Sequence, residues 1–441
     1  MAFLMLFSAW VDFFVAKRIY KSFSKKLRTI WLLVSLVINF GLLFFFKYSY
    51  FIDYNVGLLF NDLGFSYEGL SSSGFKIILP LGISFYTFQS VSYSIDIYRG
   101  VTKPEDNFIY FATYITFWPQ LIAGPILRAE EVIPQLKNDP VFKWDNLEQG
   151  IFRIIFGCFK KIVLADSIGS MVDAGFLSNI SFLTAWDVWV LAILFGFQIY
   201  FDFAGYSDIA IGTARLLNIY FPENFNWPYL AETPREFWRR WHISLSSWIR
   251  DYLYLPLQGL RFNNQSVGGI DIGLSNNKKA SQLNAGVALF VTWFIMGLWH
   301  GAGWNFALWG IYHALIIFVY RLFPFLNRLS DRFNLFGIVL TFLIIMAGWI
   351  PFRSQSITQA LDLFTIILTP SKYLVGASQL HISYALYAFI LVLFMVLIHQ
   401  YILSKPYKLY GYYIKLSSIP IIVFLVIIHM KQMSKFIYFQ F

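Results

Sequence analysis

The sequence predicts an all-α integral membrane fold, and three observations carry that reading. Charged residues make up 13% of the 441 positions and hydrophobic ones 58%, whereas a soluble domain carries about 25% charged residues to wet its surface. Several apolar runs approach or reach the roughly 20 residues that a helix needs to cross hydrocarbon, where every backbone N–H and C=O must be paired within the segment. The 34 Lys and Arg gather in short stretches between those runs, as they do in loops on the cytoplasmic side of a bilayer. The 49 Phe, 27 Tyr and 15 Trp supply rings suited to the lipid–water boundary.

The same figures exclude other classes. In a soluble protein a net charge of +10 would suggest nucleic acid. Here the basic clusters face anionic lipid instead, and no nucleic-acid partner is expected. A single cysteine, Cys158, excludes a disulfide framework, a Cys-rich zinc site and a CxxC redox pair, and no metal site is expected. The opening Met1–Ala16 is apolar but has neither a basic flank nor an A-x-A site, so no cleavable signal peptide is expected. With no internal repeat and no Gly/Ser- or Pro-rich linker, residues 1–441 read as one polytopic membrane domain.

The runs follow in order. Thr29–Phe46 has no charge in 18 residues. Ile77–Ile95 contains Pro80 and Gly82 and is expected to be broken or re-entrant. Asn107–Leu127 and the 41 residues Ala280–Tyr320 contain no Asp, Glu, Lys or Arg. The second of these is long enough for two helices, with the break expected at Gly301-Ala302-Gly303. Val188–Phe201 and Leu335–Ile350 are shorter, Tyr384–Leu403 spans 20 residues without Asp, Glu, Lys or Arg, and Leu416–Met430 ends the series. About eight to eleven crossings are expected. Lys17, Arg18, Lys21, Lys25, Lys26 and Arg28 put the first loop in the cytoplasm, and Tyr48–Gly74, with Asp53, Asp62 and Glu68 but no Lys or Arg before Gly74, lies outside. Lys405, Lys408 and Lys415 return the chain to the cytoplasm, which sends the C-terminal tail to the outer face.

Ionisable residues within apolar segments are expensive and mark candidate sites. His300 sits midway through the long uncharged stretch, flanked by Gly297, Gly301 and Gly303. Glycine lets backbone or substrate approach closely, and a neutral imidazole accepts a hydroxyl proton near neutral pH. The alternative is a histidine that packs helices and bonds a backbone carbonyl. A second constellation is Pro234–Tyr252. Read as one helix capped by Thr233 with Pro234 in its first turn, it places Trp238, Trp241, Leu245 and Trp248 on one face and Arg235, Arg239, His242 and Ser246 on another. Such a helix lies in the cytoplasmic interface, where its arginines hold either the phosphates of a nucleotide-type donor or lipid headgroups. Third, Asp202 and Asp208 end an apolar run, to orient a histidine or cap a helix. His313 reads as structural.

These segments together resemble the membrane-bound O-acyltransferase family. Arg235–Leu255, Phe294–His313 and Phe201–Asn218 carry the resemblance, and Leu79–Gln89, Ile95–Gly100, Leu121–Arg128 and Phe436–Phe441 are similar to its bacterial branch. Members of that branch usually begin with one or two further apolar segments. The resemblance implies a ring of tilted helices around a central funnel, with His300 as the catalytic histidine at its neck and His242 as a second histidine. It implies acetyl-CoA as acyl donor, no bound cofactor, an exported polysaccharide or peptidoglycan as acceptor, an extracytoplasmic SGNH-type partner and the cell (inner) membrane as location. Arg235, Arg239, Trp299 and Asp208 complete the site as substrate-binding candidates. The tail Phe436-Ile-Tyr-Phe-Gln-Phe441 is similar to a terminal motif proposed in the family as an acyl-tyrosine relay through Tyr438. The other reading of that tail is an interfacial aromatic anchor. Competing functions are a teichoic acid D-alanyl transferase of the same family, a lipid acyltransferase, and a transporter, although transporters often show paired inverted halves and none is evident.

Overall fold

The computed structural model describes residues 2–70, 76–121, 124–139, 141–259, 282–374, 378, 380–403 and 408–430. Among the described residues there is helix and no strand, as the membrane reading requires. Four helices among the described residues are long and apolar enough to cross a bilayer: Lys25–Asp62, Ala185–Leu216, Trp304–Leu322 and Asn334–Arg353. Shorter apolar helices are Asn284–His300, Ile357–Leu368, Ile382–Leu397 and Leu416–His429.

The chain divides into two compact units. The first comprises Met1–Lys143, Leu217–Phe221 and Arg250–Ser281. Its helices are α1 (Ala2–Lys21), α2 (Lys25–Asp62), α3 (Ile83–Arg99), α4 (Phe108–Thr116) and α5 (Ala129–Leu136). The loop expected from Tyr48 is still helical as far as Asp62, because the turns around Lys47 and Asp53 carry enough apolar residues to continue α2. The broken segment is found as expected: Pro80 and Gly82 precede α3, and Gly82 takes a left-handed φ of 71° against the Leu121 carbonyl. Asn107–Leu127 is helical only to Thr116, since Pro119 and Pro125 cannot donate the bonds a longer helix needs.

The first three helices join through a buried carboxylate. Asp12 accepts from Ser35 Oγ (2.5 Å), Asn39 Nδ2 (2.8 Å) and Ser94 Oγ (3.1 Å), and Ser8 Oγ donates to Asn39 Oδ1 (2.6 Å). A polar group in an apolar interior is tolerated when its hydrogen bonds are met, and here they also fix helix register. In the same unit Tyr252 Oη donates to Asp96 Oδ2 (2.6 Å), and Arg128 pairs with Asp251.

The second unit comprises Trp144–Leu216, Pro222–Ile249 and Gln282–Phe441. Its helices are α6 (Trp144–Cys158), α7 (Asp166–Leu177), α8 (Ala185–Leu216), α9 (Pro234–Arg240), α10 (Ile243–Ile249), α11 (Gln282–His300), α12 (Trp304–Leu322), α13 (Phe325–Arg332), α14 (Asn334–Arg353), α15 (Ile357–Leu368), α16 (Ile382–Leu403) and α17 (Lys408–His429). A π turn over Phe159–Ala165 links α6 to α7. Small residues let membrane helices approach closely, and α6 and α8 do so through Gly157 against Gly205 and Gly150 against Gly212. The π turn widens the helix where Lys160 pairs with Asp208 (2.5 Å) and Lys161 with Asp202 (2.6 Å) and Asp166 (2.7 Å). Both aspartates therefore sit inside a continuous α8 and cap nothing, which corrects that reading.

The segment 234–252 departs most from expectation. Thr233 Oγ1 caps α9 by accepting from Glu236 N (3.2 Å), with Pro234 in the first turn. The helix then stops at Arg240. His242 adopts a left-handed φ of 41°, and tertiary backbone bonds replace helical ones: Asn226 N donates to Arg240 O (2.9 Å) and Ile243 N to Asn224 O (3.0 Å). A short helix thus lies on each side of His242, and Arg250–Tyr252 belongs to the first unit. Trp238, Trp241, Leu245 and Trp248 are all buried. The expected lipid-facing stripe is protein core.

Candidate active site

His300 closes α11, and the chain turns through Gly301–Gly303 into α12, at the break the sequence indicates. Gly297 on α11 and Gly310 on α12 bring the two backbones together. A Cβ on Gly297 would collide with the Phe306 carbonyl, and one on Gly310 with the Trp293 carbonyl. This approach holds His300, 5% exposed, within a wall of rings. Its centroid lies 4.9 Å from Trp299, 5.0 Å from Trp309 in an edge-to-face arrangement, and 5.3 Å from Phe352. The wall continues through Trp349 of α14, 5.5 Å from Phe352. A wall of rings excludes water, and so strengthens any charge or hydrogen bond formed beside the imidazole.

Helix α9 abuts this wall. Trp238 packs 5.6 Å from Trp309 and 4.7 Å from Trp293, and Trp241, just past the helix, packs 5.0 Å from Trp349. Arg235 and Arg239 occupy the opposite, exposed face of α9 and form no ion pair among the described residues. One two-turn helix therefore carries two available guanidinium groups outside and a ring contact towards His300 inside.

His242 does not share the arginine face. The break after α9 turns it inward, where it is 1% exposed and packs edge-on to Phe203 at 4.5 Å. Its Nδ1 lies 3.1 Å from Asn224 Oδ1. Burial pushes its pKa down to about 3, so the ring is neutral at ordinary pH.

Asp208 stands apart from both histidines' ring contacts. Lys160 holds one of its oxygens, while Arg153 Nε donates to the other (2.9 Å) and reaches on to Glu223. Tyr438 lies outside the described residues. His313 is packed among Trp238, Trp293 and Trp309, the structural place the sequence suggests. Sequence reasoning missed Asn224, Trp309 and Phe352. Asn224 gave no signal, being one polar residue in a loop, and Phe352 is remote in sequence. Trp309 lies nine residues beyond His300, inside the same uncharged stretch, and was legible there.

Apolar helices of spanning length mark a multi-pass membrane protein, and the histidine walled by aromatics at a helix break beside a cationic helix is its candidate site. The chain belongs to the membrane-bound O-acyltransferase family: the model of that family matches residues 23–269, a stretch that includes His242 and ends before His300. A Pseudomonas aeruginosa protein named "Probable alginate O-acetylase" is 37% identical over 75% of this chain and 58% of its own length. A peptidoglycan O-acetyltransferase of Helicobacter pylori is 33% identical over 86% of this chain and 72% of its own. A teichoic acid D-alanyltransferase of Bacillus subtilis is 30% identical over 64% of this chain and 70% of its own. The chain thus spans under two thirds of the length of the Pseudomonas relative.

Proposed function

We propose that this protein is an O-acyltransferase of the cell (inner) membrane, which takes acetyl groups from cytoplasmic acetyl-CoA for O-acetylation of an exported polysaccharide or peptidoglycan. The observation that carries the reading is His300 at a helix break within a water-excluding wall that adjoins the Arg235/Arg239 helix. The names of the Pseudomonas and Helicobacter relatives support acetyl as the group moved. In the first transfer His300 takes the proton of the attacking hydroxyl, that of the carrier Tyr438, as its oxygen attacks the thioester carbonyl. A C–O bond forms, the C–S bond breaks, and the proton passes to the departing thiolate. The aromatic wall keeps water from competing as acceptor, and His242, neutral and buried, contributes to turnover.

Purified protein in detergent, given acetyl-CoA labelled in its acetyl group together with a polysaccharide or peptidoglycan acceptor, tests this: consumption of the thioester dependent on His300 supports it, and none overturns it. The Bacillus relative favours a second reading, transfer of D-alanine from a carrier protein. Labelled D-alanyl carrier in the same assay separates the two.

Arg235→Ala and Arg239→Ala are each expected to raise the apparent KM for acetyl-CoA while changing kcat little, because a lost phosphate contact weakens ground-state binding. An unchanged KM in both variants would reassign these arginines to lipid headgroups.

Acetyl-CoA is too large and polar to cross, and the acceptor is outside. The acetyl group therefore passes through the protein, with Tyr438 as an intermediate carrier and an extracytoplasmic SGNH-type protein as onward partner. A phenol ester is more activated than an alkyl ester, so it can hand its acyl group on. Mass spectrometry of the C-terminal peptide is expected to find acetyl-Tyr438, lost when acceptor is added. Full transfer by Tyr438→Phe, which keeps the ring and removes only the hydroxyl, would end the relay.

A further inference from the structure

Asn224 is fully buried in the connector between α8 and α9, and three groups converge on its Oδ1. His242 Nδ1 lies at 3.1 Å, Ser244 Oγ at 2.9 Å and the Ser244 backbone nitrogen at 3.3 Å. A backbone N–H can only donate, so the atom it meets is the amide oxygen. The other end of the amide agrees, since Nδ2 donates to Ser207 Oγ on α8 (3.1 Å). The Ser244 hydroxyl also lies 3.5 Å from His242 Nδ1, but its nearer partner is Asn224 Oδ1 at 2.9 Å, where its hydrogen goes. An amide oxygen only accepts, so the His242 nitrogen 3.1 Å from it carries a hydrogen. A neutral imidazole has one N–H, which leaves the lone pair on Nε2.

The surrounding backbone is built around this contact. Asn224 also accepts, through its carbonyl oxygen, from Ile243 N, the residue after His242. Its neighbour Glu223 is tied through Arg153 to Asp208. The non-glycine residues with positive φ among those described are Asn218 (60°), Trp227 (45°) and His242 (41°), all in one 25-residue stretch. Backbone in sparsely populated regions persists where its surroundings over-determine it, and such residues gather at functional sites.

We infer that Asn224 is a positioning residue for the transfer reaction: it fixes His242 as the Nδ1–H tautomer, so that Nε2 is the basic nitrogen offered to the reaction. The inference rests on the proposed part of His242 in turnover. Asn224 touches no reacting atom. It acts as the residue behind a catalytic histidine does in other sites, where the hydrogen bond made by one ring nitrogen decides the chemistry of the other.

The test uses the full chain in detergent. Histidine is labelled with ¹⁵N, and the His242 signals among the six histidines are identified by their loss in His242→Ala. The wild-type ring is expected to carry its hydrogen on Nδ1, and Asn224→Ala is expected to give a mixture of tautomers. In acyl transfer Asn224→Ala should lower kcat roughly 10- to 100-fold, the usual effect of removing a supporting hydrogen bond, with KM for acetyl-CoA within about twofold of wild type. Asn224→Asp, which keeps an acceptor at the same place, should hold the Nδ1–H tautomer and recover most of the lost turnover. A wild-type ring protonated on Nε2 would overturn the inference, as would an equal loss in Asn224→Ala and Asn224→Asp with the tautomer unchanged. Should Asn224→Ala fail to fold, the wild-type spectrum and Asn224→Asp still decide. Full turnover by His242→Ala would instead remove His242 from the reaction, and the role of Asn224 with it, whatever tautomer the spectrum shows.

Discussion

His300→Ala is expected to lower acyl transfer by about 10²–10⁴-fold, the usual cost of losing a general base, with the protein still expressed and extracted in detergent. The expectation follows from what surrounds the imidazole. Trp299, Trp309 and Phe352 lie around it at ring distances of 4.9–5.3 Å, and none of these rings can take a proton from a hydroxyl. The site therefore offers no substitute from these neighbours. The wall also makes the structural effect separable from the chemical one. Removing the ring leaves a void among aromatics and lowers stability, whereas His300→Gln fills part of the space with a polar group of similar reach. Both variants should be inactive, and the glutamine variant should melt closer to wild type. More than about a tenth of wild-type activity in either, set against that range, would return His300 to the packing role.

The class of fold was legible because hydrocarbon leaves so few options. A chain with 13% charged residues and apolar runs near spanning length has to be helical in a bilayer, and the break at Gly301–Gly303 could be read from glycine spacing alone. The site was legible in its residues and misread in its geometry. Periodicity placed Arg235, Arg239 and His242 on one face of a single helix, since 3.6-residue spacing assumes that local hydrogen bonds continue. At His242 they do not, because Asn224 and Asn226, distant in sequence, supply backbone partners to Ile243 and Arg240. No local pattern reveals bonds made from fourteen and nineteen residues away. Asp208 shows the same limit from the other side. A carboxylate in an apolar run signals function by its cost, but its partners Lys160 and Arg153 lie about fifty residues earlier, and only the fold shows that their charge is met.

Gly310→Ala is expected to disable the protein as severely as loss of His300, and by a different route. The sequence suggests that the glycines near His300 admit either backbone or substrate. At Gly297 and Gly310 the occupant is backbone. A Cβ on Gly310 would collide with the Trp293 carbonyl, which is fixed in the α11 hydrogen-bond ladder and cannot rotate away. To make room α12 must move from α11, and Trp309, the neighbour in sequence, carries the edge-to-face contact with His300. Overpacking of a close-packed interior usually costs about 1–3 kcal/mol. A clash with backbone, which has no rotamer to escape into, belongs at the upper end. Gly41→Ala is the control. It lies in α2, where nothing stands within 4 Å of the added Cβ, and there alanine should raise stability by up to about 1 kcal/mol through helix propensity alone. The same methyl group should thus lower the melting temperature in detergent at 310 and leave it unchanged or raised at 41, with transfer lost only at 310. Equal melting temperatures for the two variants would mean that α11 and α12 are not held together through this glycine contact, and that the wall around His300 is assembled in some other way.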